Sequence, residues 1–242
     1  MYKFHIVGAG SLGGCFATEL VKRAAAINVP LEVTIHDYDL VETRNTYSQE
    51  FFPNNVGKHK AEVLAERLSY YENITTKASI NKITEENARE LLTVDDQTII
   101  VDAVDNVECH QLLWKYAYEA NVPVMHMGMS TNGDGLISWN YKNVDNYNLS
   151  PVTISPLMQK QLEEYKETKL PPCQLNASRS LIVNTSIAGV NAAFIFLGLD
   201  ATKELTDENG DVIEIKGTAT VWNTTGKSMS VCLPLTEVLE WE

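Results

Sequence analysis

Three features of the sequence predict an α/β fold: a doubly wound, Rossmann-like and mostly parallel sheet with antiparallel strands added at the C-terminal end. Short apolar strands alternate with helices up to Gly128, the first strand runs straight into the glycine turn GAGSLG, and past Gly128 the rhythm changes. Such alternation marks βαβ units, whose crossover helices cover both faces of a parallel sheet.

Lys3–Val7 reads as the first strand, and Ser11–Ile27, rich in Ala and Leu, as a helix stopped by Asn28 and Pro30. Leu31–Asp37 is alternating and β-branched, a second strand. Val56–Tyr71 spaces Val56, Val63, Leu64 and Leu68 between charges, as an amphipathic helix does. Ile74–Ile80 is the third strand, after which Thr84 is expected to cap a helix that runs to about Leu92. Thr98–Val104 is a continuous apolar run ending in acid, a central parallel strand. Val107–Ala120 is helix and Val122–Gly128 the fifth strand.

Leu136–Trp139 is expected to pair antiparallel, and Asp211–Thr220 with Met229–Leu235 to form a closing hairpin. Asn143–Pro172 is polar and proline-punctuated, with one short helical piece near Leu157–Lys166, and Ser180–Leu199 reads as a buried helix. The expected organisation is one domain over 1–242: a core at 1–140, a crossing segment at 143–180, and a late helix and hairpin at 181–242.

Net charge is −13, from 19 basic and 32 acidic residues, with no basic block, which excludes a polyanion such as nucleic acid as the expected partner. With 44% hydrophobic and 21% charged residues the composition is that of a soluble globular chain. The apolar run Leu181–Leu199 carries Asn184, Thr185, Ser186 and Asn191, so burial in protein is expected rather than membrane insertion. The N-terminus enters a strand at once, and the expected location is cytoplasmic. Cys15, Cys109, Cys173 and Cys232 form no CxxC pair, so no zinc is expected and no disulfide framework is implied.

Gly8, Gly10 and Gly13, with Ser11 and Leu12 between them, stand where a strand turns into a helix whose N-terminus attracts phosphate. That pattern fits NAD and ATP alike, as does Asp37, placed to accept ribose hydroxyls. The stretch that follows favours a triphosphate. Asp39, Arg44, Asn45, Gln49, Lys58 and Lys60 supply the cations and amides that β- and γ-phosphates need beyond a helix terminus. Asp105, in VDAVDN at a strand's C-terminal edge, is a candidate ligand for Mg2+.

These motifs resemble the ThiF/MoeB/ubiquitin-activating superfamily of adenylating enzymes. Its pattern is a glycine turn, then D-x-D-x-V-x-x-x-N-x-x-(R)-Q, then G-x-x-K, then D-x-x-D-N. Here those positions are Gly8–Gly13; Asp37, Asp39, Val41, Asn45 and Gln49; Gly57 and Lys60; and Asp102, Asp105 and Asn106. The stretch LPPCQLNASRSLIVNTSIAGVNAA is most similar to ThiF-type proteins of plasmid and phage systems. The resemblance implies ATP and Mg2+ as cofactors and adenylation of a carboxylate, such as the C-terminus of a small ubiquitin-like or sulfur-carrier-like protein, by a homodimer. It gives Asp37 to the ribose, Lys60 to the phosphates, Asp105 to the metal, and Asn45 and Gln49 to orientation of the phosphate chain. Cys173, after Pro171-Pro172, matches the cysteine that in several relatives takes the acyl group as a thioester or persulfide.

One position departs from the pattern. Ser48 stands where the superfamily has arginine, and Arg44 shares its face if Thr43–Glu50 is α-helical. Two other readings stay open on the residues alone. An NAD(P)-linked oxidoreductase would use His126 as its base, and a non-catalytic member would bind nucleotide or a partner only. Cys109-His110 reads as packing, His5 and His36 as structural strand residues, and Met125, His126, Met127 and Met129 as a half-buried strand.

Overall fold

A strand whose two sides alternate between two apolar layers can be covered by helices on both faces, and the computed structural model has this arrangement. It describes residues 1–129, 135–140, 205–206, 212–213, 217–222 and 231–234. The strands are β1 (Tyr2–Val7), β2 (Leu31–His36), β3 (Ile74–Ser79), β4 (Thr98–Asp102), β5 (Val124–Met129), β6 (Gly135–Asn140), β7 (Leu205–Thr206), β8 (Val212–Ile213), β9 (Gly217–Trp222) and β10 (Val231–Pro234). The helices are α1 (Ser11–Ala26), α2 (Lys60–Leu68), α3 (Ala88–Leu91) and α4 (Val107–Ala120).

Eight strands form one sheet in the order β10-β9-β6-β5-β4-β1-β2-β3, and β7 pairs with β8 apart from it. Strands β3, β2, β1, β4 and β5 are mutually parallel, while β6, β9 and β10 pair antiparallel. The chain winds outward from β1 to β3, then returns to lay β4 on the other side of β1. That reversal opens a crevice at the carboxyl ends of β1 and β4.

One face of the parallel strands packs Phe4, Ile6, Val33, Ile35, Val101 and Met125 against Phe16 and Leu20 of α1 and Leu64 and Leu68 of α2. The opposite face packs Val7, Ile100 and Val124 against Leu92 and against Leu113 and Trp114 of α4. Burial on both sides explains why Thr98–Asp102 is buried at every position.

Several expected boundaries shift for local reasons. The helix expected over Val56–Tyr71 is only Lys60–Leu68. Pro53 instead opens a short 3-10 turn (Pro53–Asn55), and Gly57 turns the chain at φ +87°. Thr84 is not the N-cap: Asn87 takes that place, accepts the Thr84 N–H and donates to the Lys82 carbonyl, and four residues of helix follow. The strand expected to Val104 ends at Asp102. The stretch Thr43–Glu50 is not α-helical. It is a 3-10 turn over Thr43–Tyr47, and three residues per turn take Arg44 and Ser48 off a common face.

The antiparallel expectations hold at Gly135–Asn140 and, shifted, at Gly217–Trp222 with Val231–Pro234. The crossing segment, the short helix near Leu157–Lys166 and the late helix Ser180–Leu199 lie outside the described residues, as does Cys173. Among the described residues no helix is long and apolar enough to cross a membrane.

Two glycines of the first turn are set by this packing. Gly8 has φ +96°, and a Cβ on it would lie 2.6 Å from the Ala103 carbonyl oxygen; a Cβ on Gly13 would fall inside the Gly8 carbonyl. Both neighbours are backbone and cannot swing away. Gly13→Ala is therefore expected to destabilise the fold by roughly 1–3 kcal/mol or more, measured as a lowered urea midpoint.

Candidate nucleotide site

The carboxyl ends of β1, β2 and β4 gather most of the described candidate residues. Helix α1 starts at the crevice with Gly10 as its N-cap, no side-chain cap and no acid in its first turn. Its opening N–H groups and positive dipole end are thus left for an outside anion. Gly10 differs from Gly8 and Gly13. Its φ of −73° is open to any residue, and a Cβ there would meet only the Gln49 amide nitrogen, at 4.0 Å. No neighbour in the fold requires glycine at this position. Leu12 turns inward and packs against the core, and the Ser11 hydroxyl donates to the Ser48 carbonyl at 2.6 Å.

Asp37 staples this turn. One carboxylate oxygen accepts the Ala9 N–H at 2.7 Å and the other the Asp39 N–H at 2.8 Å. Burial raises its pKa, against the pull of Lys60 and of these two N–H groups. The chain then doubles back. Val41 accepts from the Gly57 N–H, Lys58 accepts from Val41, and Asp39 accepts from Lys60, so Lys60 begins α2 beside Asp39. The Lys60 ammonium is 2.9 Å from the Asp39 carboxylate, and the lysine is 7% exposed.

Asn45 is buried and its side-chain Oδ1 accepts the Glu42 N–H at 2.7 Å, so its direct work is to brace the 3-10 turn. That brace delivers Gln49 to Gly10, where the Gln49 Oε1 atom is buried without a protein partner. Glu50 and Phe51 anchor the far end: Arg67 of α2 binds both the Glu50 carbonyl and its carboxylate, and Phe51 is buried. Arg44 is exposed and paired with Glu42 at 2.8 Å.

Asp105 is exposed, and its charge reaches Tyr38, beyond β2, and His110 on α4. Asn106 caps α4 by accepting the Cys109 N–H at 2.8 Å. Beside it opens a pocket of about 530 Å³ lined by Lys82, Ile83, Asn106, Cys109 and Leu112 among others. Burial pushes the Cys109 thiol up to about 12, so it is no nucleophile.

Individual residues did not announce a second, buried assembly. Asp102 is fully buried and accepts from His110 Nδ1 at 2.8 Å, His126 Nδ1 at 3.0 Å and Trp114 Nε1 at 3.1 Å. Its signal was the first acid of VDAVDN. The two histidines converge on it only through the pairing of β5 with β4 and the docking of α4. His126 is 1% exposed and engaged there, which removes the base that the oxidoreductase reading needs. His5 and His36 pair with each other at 2.9 Å between adjacent strands.

A doubly wound sheet with an uncapped helix start, a carboxylate just past the end of β2 and a buried lysine at its switch point is an α/β arrangement of the nucleotide-binding type. Residues 1–200 match the ThiF family, and the chain belongs to that family. It is 30% identical over 135 residues to tRNA threonylcarbamoyladenosine dehydratase 1 of Saccharomyces cerevisiae, covering 53% of this chain and 30% of that protein. It is 31% identical over 125 residues to the sulfur carrier protein ThiS adenylyltransferase of Bacillus subtilis, covering 50% of this chain and 35% of that protein. The chain therefore spans about a third of the length of these curated relatives. Among solved structures, E. coli MccB with AMPCPP and selenomethionine MccA shares the fold at a TM-score of 0.68 and 16% identity, covering 98% of this chain and 66% of MccB.

The buried histidines set the pH dependence of stability. Burial lowers His5, His36 and His126, with His36 at about 3. For His110 burial also opposes charge, but Asp102, with a smaller contribution from Asp105, outweighs it and the pKa is raised. The lowered group binds its proton only after unfolding, so its contribution is complete above 6.5 and is lost as pH falls below it. The raised group's contribution is complete below 6.5 and lost as pH rises through its folded value. Stability is expected to peak near pH 6.5 and fall by up to about 1.4 kcal/mol per pH unit for each shifted group, read from urea unfolding between pH 5 and 8.

Proposed function

We propose that the chain is an ATP-dependent adenylyltransferase that activates the carboxylate of a small protein or peptide acceptor. The observation that carries this reading is Gly10, whose glycine identity the fold does not require, at an uncapped helix start with the donor nitrogen of the Gln49 side chain beside it. In this reading the α1 amides and Gln49 cradle the phosphate chain, and Lys60 swings from Asp39 to the phosphates. Asp37 takes the ribose hydroxyls with its free lone pairs. The base occupies the pocket beside Asn106, whose Ile83 and Leu112 suit an aromatic ring. Asp105 would hold Mg2+, which when bound offsets phosphate charge.

The acceptor's carboxylate oxygen attacks the α-phosphorus, the bond to the pyrophosphate oxygen breaks, and an acyl-adenylate and pyrophosphate form. A carboxylate is ionised near pH 7, so no general base is required. What the chain supplies is position and positive potential. The net charge of −13 favours a protein or peptide acceptor over nucleic acid. Following the superfamily, a two-fold dimer and transfer of the acyl group to Cys173 belong to the same proposal.

Although the 3-10 turn takes Arg44 off the Ser48 face, its long exposed side chain is assigned here the guanidinium role that Ser48 lacks. Its pair with Glu42 is exposed, and such pairs are worth only about 0–1 kcal/mol, so exchange for a phosphate is cheap. Arg44→Ala is then expected to weaken ATP binding by ~1.5–3 kcal/mol, by calorimetric titration; unchanged affinity excludes the role.

ATP–pyrophosphate exchange with pooled acceptors tests the whole reading. Exchange is expected in the wild type, absent in Lys60→Ala and Asp105→Ala, and reduced in Gly10→Ala at unchanged stability. ATP binding with no exchange from any acceptor would replace this reading with the non-catalytic one. A thiol-sensitive adduct absent in Cys173→Ser would place the acyl group on that cysteine.

A further inference from the structure

Asp102 and Asp105 belong to one short motif but face opposite ways. Asp105 is exposed at the crevice, whereas Asp102 turns beneath the sheet toward α4 and is fully buried. A buried carboxylate needs donors or it becomes costly, and Asp102 has three: His110, Trp114 and His126. Two of them stand four residues apart, on one face of α4. Asp102 also lies 3.5 Å from the Val104 N–H, at the start of the loop that carries Asp105.

We propose that His110 is a positioning residue of the nucleotide site: paired with Asp102, it pins the first turn of α4 to the end of β4 and so fixes Asp105 and Asn106. The inference rests on the nucleotide reading of the crevice. The loop has a clamp at each end. Ala103 donates to the Val7 carbonyl at 2.9 Å, and Asn106 accepts from the Cys109 and His110 N–H groups at 2.8 and 3.2 Å. These clamps hold the loop to β1 and to α4 separately. Trp114 and the apolar packing of Leu113 hold the second turn of α4 to β4, and the Asp102–His110 pair ties the first turn, the one that sets the distance Asp105 must span. Asp102 favours the proton on His110 against the cost of burial, while for His126 burial outweighs Asp102 and disfavours it.

A cation is the competing occupant, since one ligand atom each from Asp102, His110 and His126 lies within 4.8 Å of the others. The donor pattern argues against it. A metal-bound imidazole passes its second N–H to an acceptor, and His126 Nε2 is buried without a partner. Trp114, which only donates, already shares the Asp102 oxygen that His126 uses.

The test compares the wild type with His110→Asn and His110→Leu. Asparagine places an amide nitrogen where Nδ1 sits and keeps the donor, whereas leucine keeps only bulk. Without ligand, His110→Leu is expected to speed hydrogen exchange of the Val104–Glu108 amides roughly tenfold or more while exchange in β1 and β2 is unchanged. It is also expected to weaken binding of a non-hydrolysable ATP analogue with Mg2+ by a similar factor, and His110→Asn to restore most of both. Should His110→Leu not fold, His110→Gln, which moves the donor outward, takes its place.

The proposal is overturned if loop exchange equals that of the wild type. It is equally overturned if asparagine rescues no better than leucine, or if the purified protein holds a stoichiometric metal that the leucine variant loses. If the wild type binds no analogue, the nucleotide reading fails, and the exchange comparison still decides the positioning claim.

Discussion

The approach of the first glycine turn to the end of β4 governs the geometry of this protein's crevice. A Cβ on Gly8 would sit 2.6 Å from the Ala103 carbonyl oxygen, and the Ala103 N–H extends the sheet by one bond to Val7. That closeness brings the start of α1 and the VDAVDN loop to one crevice at the topological switch of the sheet. The third contributor, Asp37, is then held by its hydrogen bond to Ala9 in the same turn.

Charge in the crevice is arranged more finely than the overall −13 suggests. Asp37, Asp39 and Asp105 all act on Tyr38, so three acids crowd one edge. Lys60 is the buried cation set against them, paired with Asp39 and opposing the rise that burial imposes on the Asp37 pKa. An acidic edge of this kind repels a bare polyphosphate and accommodates one whose charge is shared with a divalent ion. The uncapped start of α1 adds positive potential without adding a side chain. The Asp39 carboxylate of this pair is half exposed, so only the lysine end of the pair is buried.

The parallel half of the fold was legible because strand-helix alternation is a repeating, two-sided pattern. The glycine turn, Asp37, Lys60 and Asp105 were legible because each stands at a strand or helix end in chain order. What could not be read were features set by competition between local hydrogen bonds. Asn87 outbids Thr84 as the turn-former, and Gly57 delays α2 to Lys60. The 3-10 winding of Thr43–Tyr47 depends on the reciprocal Glu42–Asn45 bonds, so Asn45 braces Gln49 beneath any ligand. The Asp102 assembly was also hidden, since sequence gives no register between β4 and β5 and no docking angle for α4.

That hidden assembly changes what the D-x-x-D-N motif means in this chain. Read along the sequence, its two acids look like a pair of equivalent ligands. In the fold, three residues of separation carry the chain from the last buried position of β4 to the exposed loop, and the acids part company. Asp102 turns to the helix face because Ile100, two residues earlier, points to the same layer as Leu113 and Trp114. Asp105 lies past the strand's end, where no such alternation binds it, and faces solvent. The inner acid therefore spends its charge on α4, and the outer one keeps its charge for the crevice. An acid-to-amide change at either position removes the same charge from the motif, yet the inner one strips His110 of its counter-ion while the outer one leaves the fold intact.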